Sequence, residues 1–371
     1  MGFGGKGDAR APGRRMPALR AAWPWLWQWG LAAGLLVFVL PQLRSLRRPE
    51  AADLKHPAWL LIAVALEGVS TLAAVGLQRV SVAAADRPPG WRRVGIVTLA
   101  ATAIGYLVPG GPAVATVYSA RRYRDSGVEQ ETAAGGQLLL GLVIAFSIGV
   151  LGLVGVALSE PADFVDTLST TAWSAIAWTA GALTVVSSVG LLLLRLPRTR
   201  HWLQTSRVVR WVVGAPPSSA PSRPAHAAAP AATRLIGAGL AAEALVLGGD
   251  LACLRATLAA FGVHVAIGVC VTAYALVMVV SLLPVTPGGL GVVEASLAAL
   301  LVAPGTSDDV LAASVIGYRL ISYWLVVVVG VVALVAERTQ SGRARRHKAA
   351  AAQAGKPVKA PAPAPAAASK A

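Results

Sequence analysis

Charged residues in this chain are gathered into a few short stretches, and between them run long uninterrupted apolar blocks. Blocks of that length suit a bilayer, which one helix crosses in ~20 residues. The pattern predicts helices over about 23–43, 57–78, 132–158, 171–194, 235–260, 263–283 and 310–336. Two further features interrupt it. The block 94–120 carries Pro109-Gly110-Gly111, and the block 263–302 carries Pro287-Gly288-Gly289. Proline lacks an amide hydrogen and glycine disfavours helix, so neither tripeptide belongs inside one regular helix. Each is read as a helix that enters the membrane, breaks, and resumes as a second half-helix, starting at Leu290 in the later copy. For the first copy a kinked single span is the alternative. Broken backbone at membrane depth persists only when buried in protein or lining a wet cavity. The breaks are therefore the first place to look for function. The expected fold class is an all-α polytopic membrane protein with about eight transmembrane helices, including the two broken or re-entrant elements.

Composition sharpens this. The chain has 371 residues, 56% of them hydrophobic, and a net charge of +16; its mean hydropathy is +0.63. So basic a chain invites a nucleic-acid partner. The placement of the charge argues against one, because it lies in tails and loops between apolar blocks, as the positive-inside rule requires. Residues 1–20 read as a disordered basic cytoplasmic tail, 21–337 as the integral membrane domain, and 338–371 as a disordered Ala/Pro-rich basic tail. Inside the membrane domain, 195–234 is a basic cytoplasmic linker whose first part suits an amphipathic helix on the inner leaflet. The loop bearing Glu160, Asp163 and Asp166 has no basic residue and suits the outside. The loop 44–56 must also be external, although it carries four basic residues, against the rule. The expected localisation is the plasma membrane, multi-pass, with both termini cytoplasmic. Cys253 and Cys270 fall in apolar blocks and read as small buried hydrophobes. The five histidines are scattered without ligand spacing, so no metal or cofactor is expected.

The two Pro-Gly-Gly motifs form part of an internal repeat. In both copies a loop glycine, Gly127 or Gly305, lies at the same offset from the last motif glycine. An acidic pair follows each, Glu129/Glu131 and Asp308/Asp309. The first element opens to the basic side and the second to the acidic side. Inverted-topology repeats with broken helices have this signature, and secondary transporters use them. The bland alternative is two helix kinks of structural use.

Six charges sit in or near apolar blocks: Glu67, Glu243, Asp250, Arg255, Glu294 and Arg319. Such residues face a cavity or a partner. Asp250 and Arg255 are offset from the best helix pairing, and Arg255 can instead snorkel outward. Glu294 and Arg319 lie in adjacent apolar elements and are expected to face one shared polar cavity. Substrate-binding candidates are Pro287, Gly288, Gly289, Gly291, Glu294, Arg319 and Tyr323 at the second break, and Pro109, Gly110 and Gly111 at the first. The half-helix after Gly289 is expected to aim free backbone N–H groups at an anion. Bulky side chains at 288 and 289 are then expected to leave a stably inserted but inactive protein, with milder effects at 110 and 111.

The stretch Leu283-Pro284-Val285-Thr286-Pro287-Gly288-Gly289-Leu290-Gly291-Val292-Val293-Glu294-Ala295, followed by Tyr318-Arg319-Leu320-Ile321-Ser322-Tyr323-Trp324, resembles the lysylphosphatidylglycerol synthase transmembrane-region, or flippase-like, family. Tyr106-Leu107-Val108-Pro109-Gly110 with Arg121-Arg122 is similar to that family's N-terminal motif, but lacks its usual Asn before and acidic residue after the first Pro-Gly. The resemblance implies a lipid translocator without the family's aminoacyl-transferase domain, and hence no enzyme. The expected partners are membrane lipids and a separate lipid-modifying enzyme. A non-catalytic subunit of such an enzyme is one alternative. A membrane-embedded transferase is another, with only Thr286 and Glu294 near the break to serve it.

Overall fold

The computed structural model describes residues 54–108, 110–159, 170–194, 196, 229–281, 287–301 and 306–339. The expected first helix, the acidic residues Glu160, Asp163 and Asp166, the amphipathic part of the linker, the N-terminal tail, the C-terminal tail from 340 on, Pro109, Thr286 and Gly305 lie outside the described residues. Among the described residues there are nine helices and no strand. In chain order they are α1 (Ala58–Ser81), α2 (Trp91–Leu107), α3 (Gly111–Asp125), α4 (Gln130–Leu158), α5 (Thr170–Leu193), α6 (Ala229–Ala260), α7 (Ile267–Ser281), α8 (Val292–Leu300) and α9 (Asp308–Thr339). The all-helical expectation holds. Five of the nine, α1, α4, α5, α6 and α9, are long and apolar enough to cross a membrane. Their outward faces are apolar as well: Trp178 is 79% exposed and Leu61 75%. Water would penalise a continuous surface of this kind, whereas lipid tails cover it readily. These are the features of a multi-pass membrane protein.

Without a hydrophobic drive between helices in lipid, packing relies on small residues that let backbones approach. The most extensive contact is between α1 and α6. Ser70 Oγ donates to the Val246 carbonyl at 3.0 Å. A Cβ on Gly249 would lie 3.1 Å from the Leu66 carbonyl oxygen. Helix α4 approaches three neighbours through glycines. A Cβ on Gly136 would stand 1.9 Å from the Ser81 carbonyl oxygen of α1. One on Gly149 would stand 2.4 Å from the Thr184 hydroxyl of α5, and one on Gly155 2.6 Å from that of Thr272 on α7. The largest buried cluster joins α6, α7, α8 and α9 through Leu254, Tyr274, Leu297, Leu301, Val315 and Tyr318, so the core sits around the second break.

The breaks themselves differ from the sequence expectation in detail. The block 94–120 is two helices, α2 and α3, that turn at Gly110 (φ +66) and lie against each other. A Cβ on Gly111 would be 1.9 Å from the Gly105 carbonyl oxygen. The helix expected from Val263 begins at Ile267. Gly262 (φ +72) ends α6, its N–H bonding the Ala259 carbonyl while the Val263 N–H bonds that of Leu258. This pair of bonds is a Schellman cap, and it pulls 263–266 out of the helix. The second half-helix begins at Val292 rather than Leu290, because Gly291 holds a φ of +82. Within α9 the segment Leu320–Leu325 widens into a π-helical turn. Ile321, Ser322, Tyr323 and Trp324 are all buried there. Such turns are rare and often accompany functional sites.

Candidate functional site

The second break is organised by one arginine. At Gly288 (φ +58) the chain turns back. Arg319, the residue just before the π-helical turn, binds this turn: its Nη2 donates to the Gly288 oxygen at 3.1 Å. Arg319 Nε donates to Glu294 Oε1 at 2.8 Å. The other Glu294 oxygen accepts the Gly291 N–H at 2.7 Å. One carboxylate thus bridges the start of α8 and the guanidinium. Glu294 and Arg319, expected to face one shared polar cavity, are in direct contact. The expected free N–H groups are corrected in part, because Glu294 already takes that of Gly291. The cause is local: Glu294 is the third residue of α8, where a carboxylate reaches back to an unsatisfied amide.

Aromatic rings complete the setting. The Arg319 guanidinium lies 4.5 Å from the Tyr323 ring centroid. Tyr323 stacks on Tyr106 at 4.8 Å, and its hydroxyl donates to the Tyr106 carbonyl at 2.9 Å. Tyr106 lies in the last turn of α2, immediately before the first break. The two Pro-Gly-Gly elements therefore meet through this pair of rings. The packing also corrects the expectation for position 288. A Cβ there would stand 2.4 Å from Tyr323 Cε2 and 2.7 Å from the Tyr106 oxygen, so a large side chain cannot be accommodated silently. Gly111, where milder effects are expected, is as crowded, whereas Gly110 has no atom within 4 Å of an added Cβ. A Cβ on buried Gly289 (φ +70) would press closest on a methyl of Val293, at 2.7 Å, with the Ser281 hydroxyl at 3.8 Å. Of Pro287 the structure describes only the backbone turn.

A second polar group lies beside the first. Asp250 of α6 accepts two phenol hydrogen bonds, from Tyr274 on α7 and Tyr318 on α9, both at 2.8 Å. Glu67 of α1 lies against it, carboxyl to carboxyl. Arg319 is next in chain to Tyr318 and close enough to act on the Asp250 charge. Sequence reasoning named Glu67 and Asp250 but not their tyrosine partners, since tyrosines in apolar blocks read as ordinary core. Arg255 does not join Asp250; it is exposed and lines a small pocket with His264 and Cys270 at the α6–α7 turn. Glu243 is buried earlier on α6.

A third constellation was missed altogether. Glu337, at the end of α9, is fully buried. It pairs with Arg93 Nη1 at 3.1 Å and Arg122 Nε at 3.3 Å, and accepts a hydrogen bond from Tyr118. It clamps α2 and α3 to α9. The available signal was a lone acidic residue at the edge of a basic flank. Among the described residues no group of His, Cys, Asp and Glu is arranged to hold a metal ion.

The site therefore offers a fixed cation, a helix N-terminus occupied by an internal carboxylate, and an aromatic wall, all within the membrane-spanning bundle. Such a set can accept an anion; among the described residues, which do not include Thr286, it holds no nucleophile with an adjacent base. No curated protein matches the chain. The family model of the lysylphosphatidylglycerol synthase TM region matches residues 25–330, which takes in both breaks, Glu67, Asp250, Glu294 and Arg319. On that match the chain belongs to the lysylphosphatidylglycerol synthase TM region family.

Proposed function

We propose that this protein moves lipids across the plasma membrane, binding an anionic head group, phospholipid or polyprenyl-linked phosphate, at the break before α8. The observation that carries this reading is Arg319 and its partners. A charge deep in a bilayer costs ~2.5–3.5 kcal/mol on insertion scales, and a bundle with only a structural task does not need one. Guanidinium and helix N-terminus both favour phosphate. Glu294 holds both in their absence. It acts as an internal stand-in for the head group, keeping the site satisfied when empty, and it is the group that a lipid must displace. The two Pro-Gly-Gly elements act as re-entrant hairpins of an inverted repeat within about eight spans, and their contact through Tyr106 and Tyr323 is the pivot between inward- and outward-open forms. Both termini and the linker 195–234 face the cytoplasm. The protein is not an enzyme; it works beside a separate lipid-modifying one.

One observation favours the second reading, a non-catalytic membrane subunit: Arg319 already binds two internal partners, Glu294 and the Gly288 carbonyl. Native mass spectrometry of the purified protein separates the two. With a panel of phospholipids the translocator reading predicts adducts that favour anionic head groups and are lost in Arg319→Gln. Equal retention of every head group by both proteins would remove the binding site from the account.

A further inference from the structure

We propose that Glu67 and Asp250 together form a proton-binding site, with the proton on Glu67. The argument is one of hydrogen-bond capacity. Each Asp250 oxygen accepts one phenol hydrogen, Oδ2 from Tyr274 and Oδ1 from Tyr318. A phenol has one hydrogen to give, so neither tyrosine has another for Glu67. Glu67 is 7% exposed, and its Oε2 is buried with no donor. It stands carboxyl to carboxyl with Asp250. Two carboxylates are both acceptors and cannot bond each other. An ionised Glu67 would be an unpaired buried charge held against a like charge, among the costliest arrangements in a protein interior. One proton resolves all of this. Glu67 Oε2–H donates to Asp250, which becomes an anion with three O–H donors.

The backbones enforce the contact. Helices α1 and α6 touch at this level, with Ser70 Oγ bonded to the Val246 carbonyl and Gly249 set against Leu66 and Ser70. Glu67 Oε2 is buried without a protein donor, which suits a proton better than a larger ligand. The groups that surround the pair are Tyr106 from α2, Cys253 from α6, Tyr274 from α7, and Tyr318 and Arg319 from α9. Arg319 alone among these is a cation, and it is already shared with Glu294 and the Gly288 carbonyl. Loss of the proton from Glu67 draws Arg319 toward the carboxyl pair and away from Glu294. The pair thereby couples proton movement to the head-group site. This coupling rests on the translocator reading; the proton site does not.

Infrared spectroscopy of the purified protein at neutral pH tests the site without any transport measurement. The wild-type chain should show a deuterium-sensitive carboxylic acid C=O band that is lost in Glu67→Gln and shifted in Asp250→Asn, with Glu243→Gln as the subtraction for another buried acid. Absence of the band from wild type, or a band unchanged by both substitutions, overturns the proposal. If Glu67→Gln does not fold, wild type and Asp250→Asn decide the matter. A band abolished when choline is replaced by sodium would also overturn it, assigning the pair to a metal cation.

Discussion

Substituting Gly288 with alanine adds one methyl group and tests how the second break is held. The φ of +58 places an L-residue in the left-handed region. The new Cβ would lie 2.4 Å from Tyr323 Cε2, 2.5 Å from the Tyr323 hydroxyl and 2.7 Å from the Tyr106 carbonyl oxygen. The first effect costs about 1–2 kcal/mol and overpacking about 1–3 kcal/mol, so Gly288→Ala should lose about 2–5 kcal/mol. Gly110→Ala is the internal control. Its φ is +66 but no atom lies within 4 Å of the added carbon, so only the first cost, about 1–2 kcal/mol, applies. Gly291→Ala, with φ +82 and ψ −43, falls outside the left-handed well and should lose more than Gly110→Ala although the space around it is open. Melting of the purified variants in detergent, followed by tryptophan fluorescence, together with their abundance in membranes, measures the order. The prediction is wild type, then Gly110→Ala, then Gly288→Ala well below, with Gly291→Ala also below Gly110→Ala. A Gly288→Ala protein that melts with Gly110→Ala would refute the packing of Tyr323 and Tyr106 on the break.

Removing one partner of a buried ion pair costs about 3–5 kcal/mol. Arg319→Ala and Glu294→Ala should each approach that in thermal stability, with the double variant losing less than their sum; additive losses in the cycle would deny their coupling. Tyr274→Phe and Tyr318→Phe each remove a hydrogen bond to the Asp250 carboxyl, worth about 1.5–3 kcal/mol for a charged acceptor, and their melting temperatures should fall by similar amounts. Glu337→Gln should cost more than the ~1 kcal/mol of an exposed ion pair, because both arginines of the clamp lose a buried partner; a melting temperature equal to wild type would show the clamp to be idle. A cysteine introduced at position 215, with Cys253 and Cys270 replaced, should be labelled from the cytoplasm only; external labelling would invert the topology.

The sequence announced the helices because their apolar blocks are long and their ends are marked by charge. The predicted 57–78, 132–158 and 171–194 differ by only a few residues from α1, α4 and α5. Where it erred, the cause was short-range backbone chemistry. Nothing in the hydropathy of 263–266 signals that Gly262 closes a Schellman cap before it. Pro-Gly-Gly marked the two places where the chain turns, at Gly110 and Gly288, since no regular helix accepts those residues, but their partners were invisible. Tyr106 and Tyr323 are far apart in the chain and meet only because α2 and α9 pack together. The charges at Glu294 and Arg319 were conspicuous against their apolar surroundings. Tyr274, Tyr318 and Glu337 were not, because a tyrosine in an apolar block or an acid at a basic flank has an ordinary explanation close at hand.

Reconstitution into liposomes carrying a trace of fluorescently tagged anionic phospholipid, with an impermeant quencher added outside, tests the central claim most directly. The account predicts that wild-type protein exposes inner-leaflet lipid to the quencher faster than protein-free liposomes do. It predicts that Arg319→Gln, reconstituted to the same level, does not. A wild-type rate no faster than that of empty liposomes for every head group tried, or an Arg319→Gln rate equal to wild type, would contradict it.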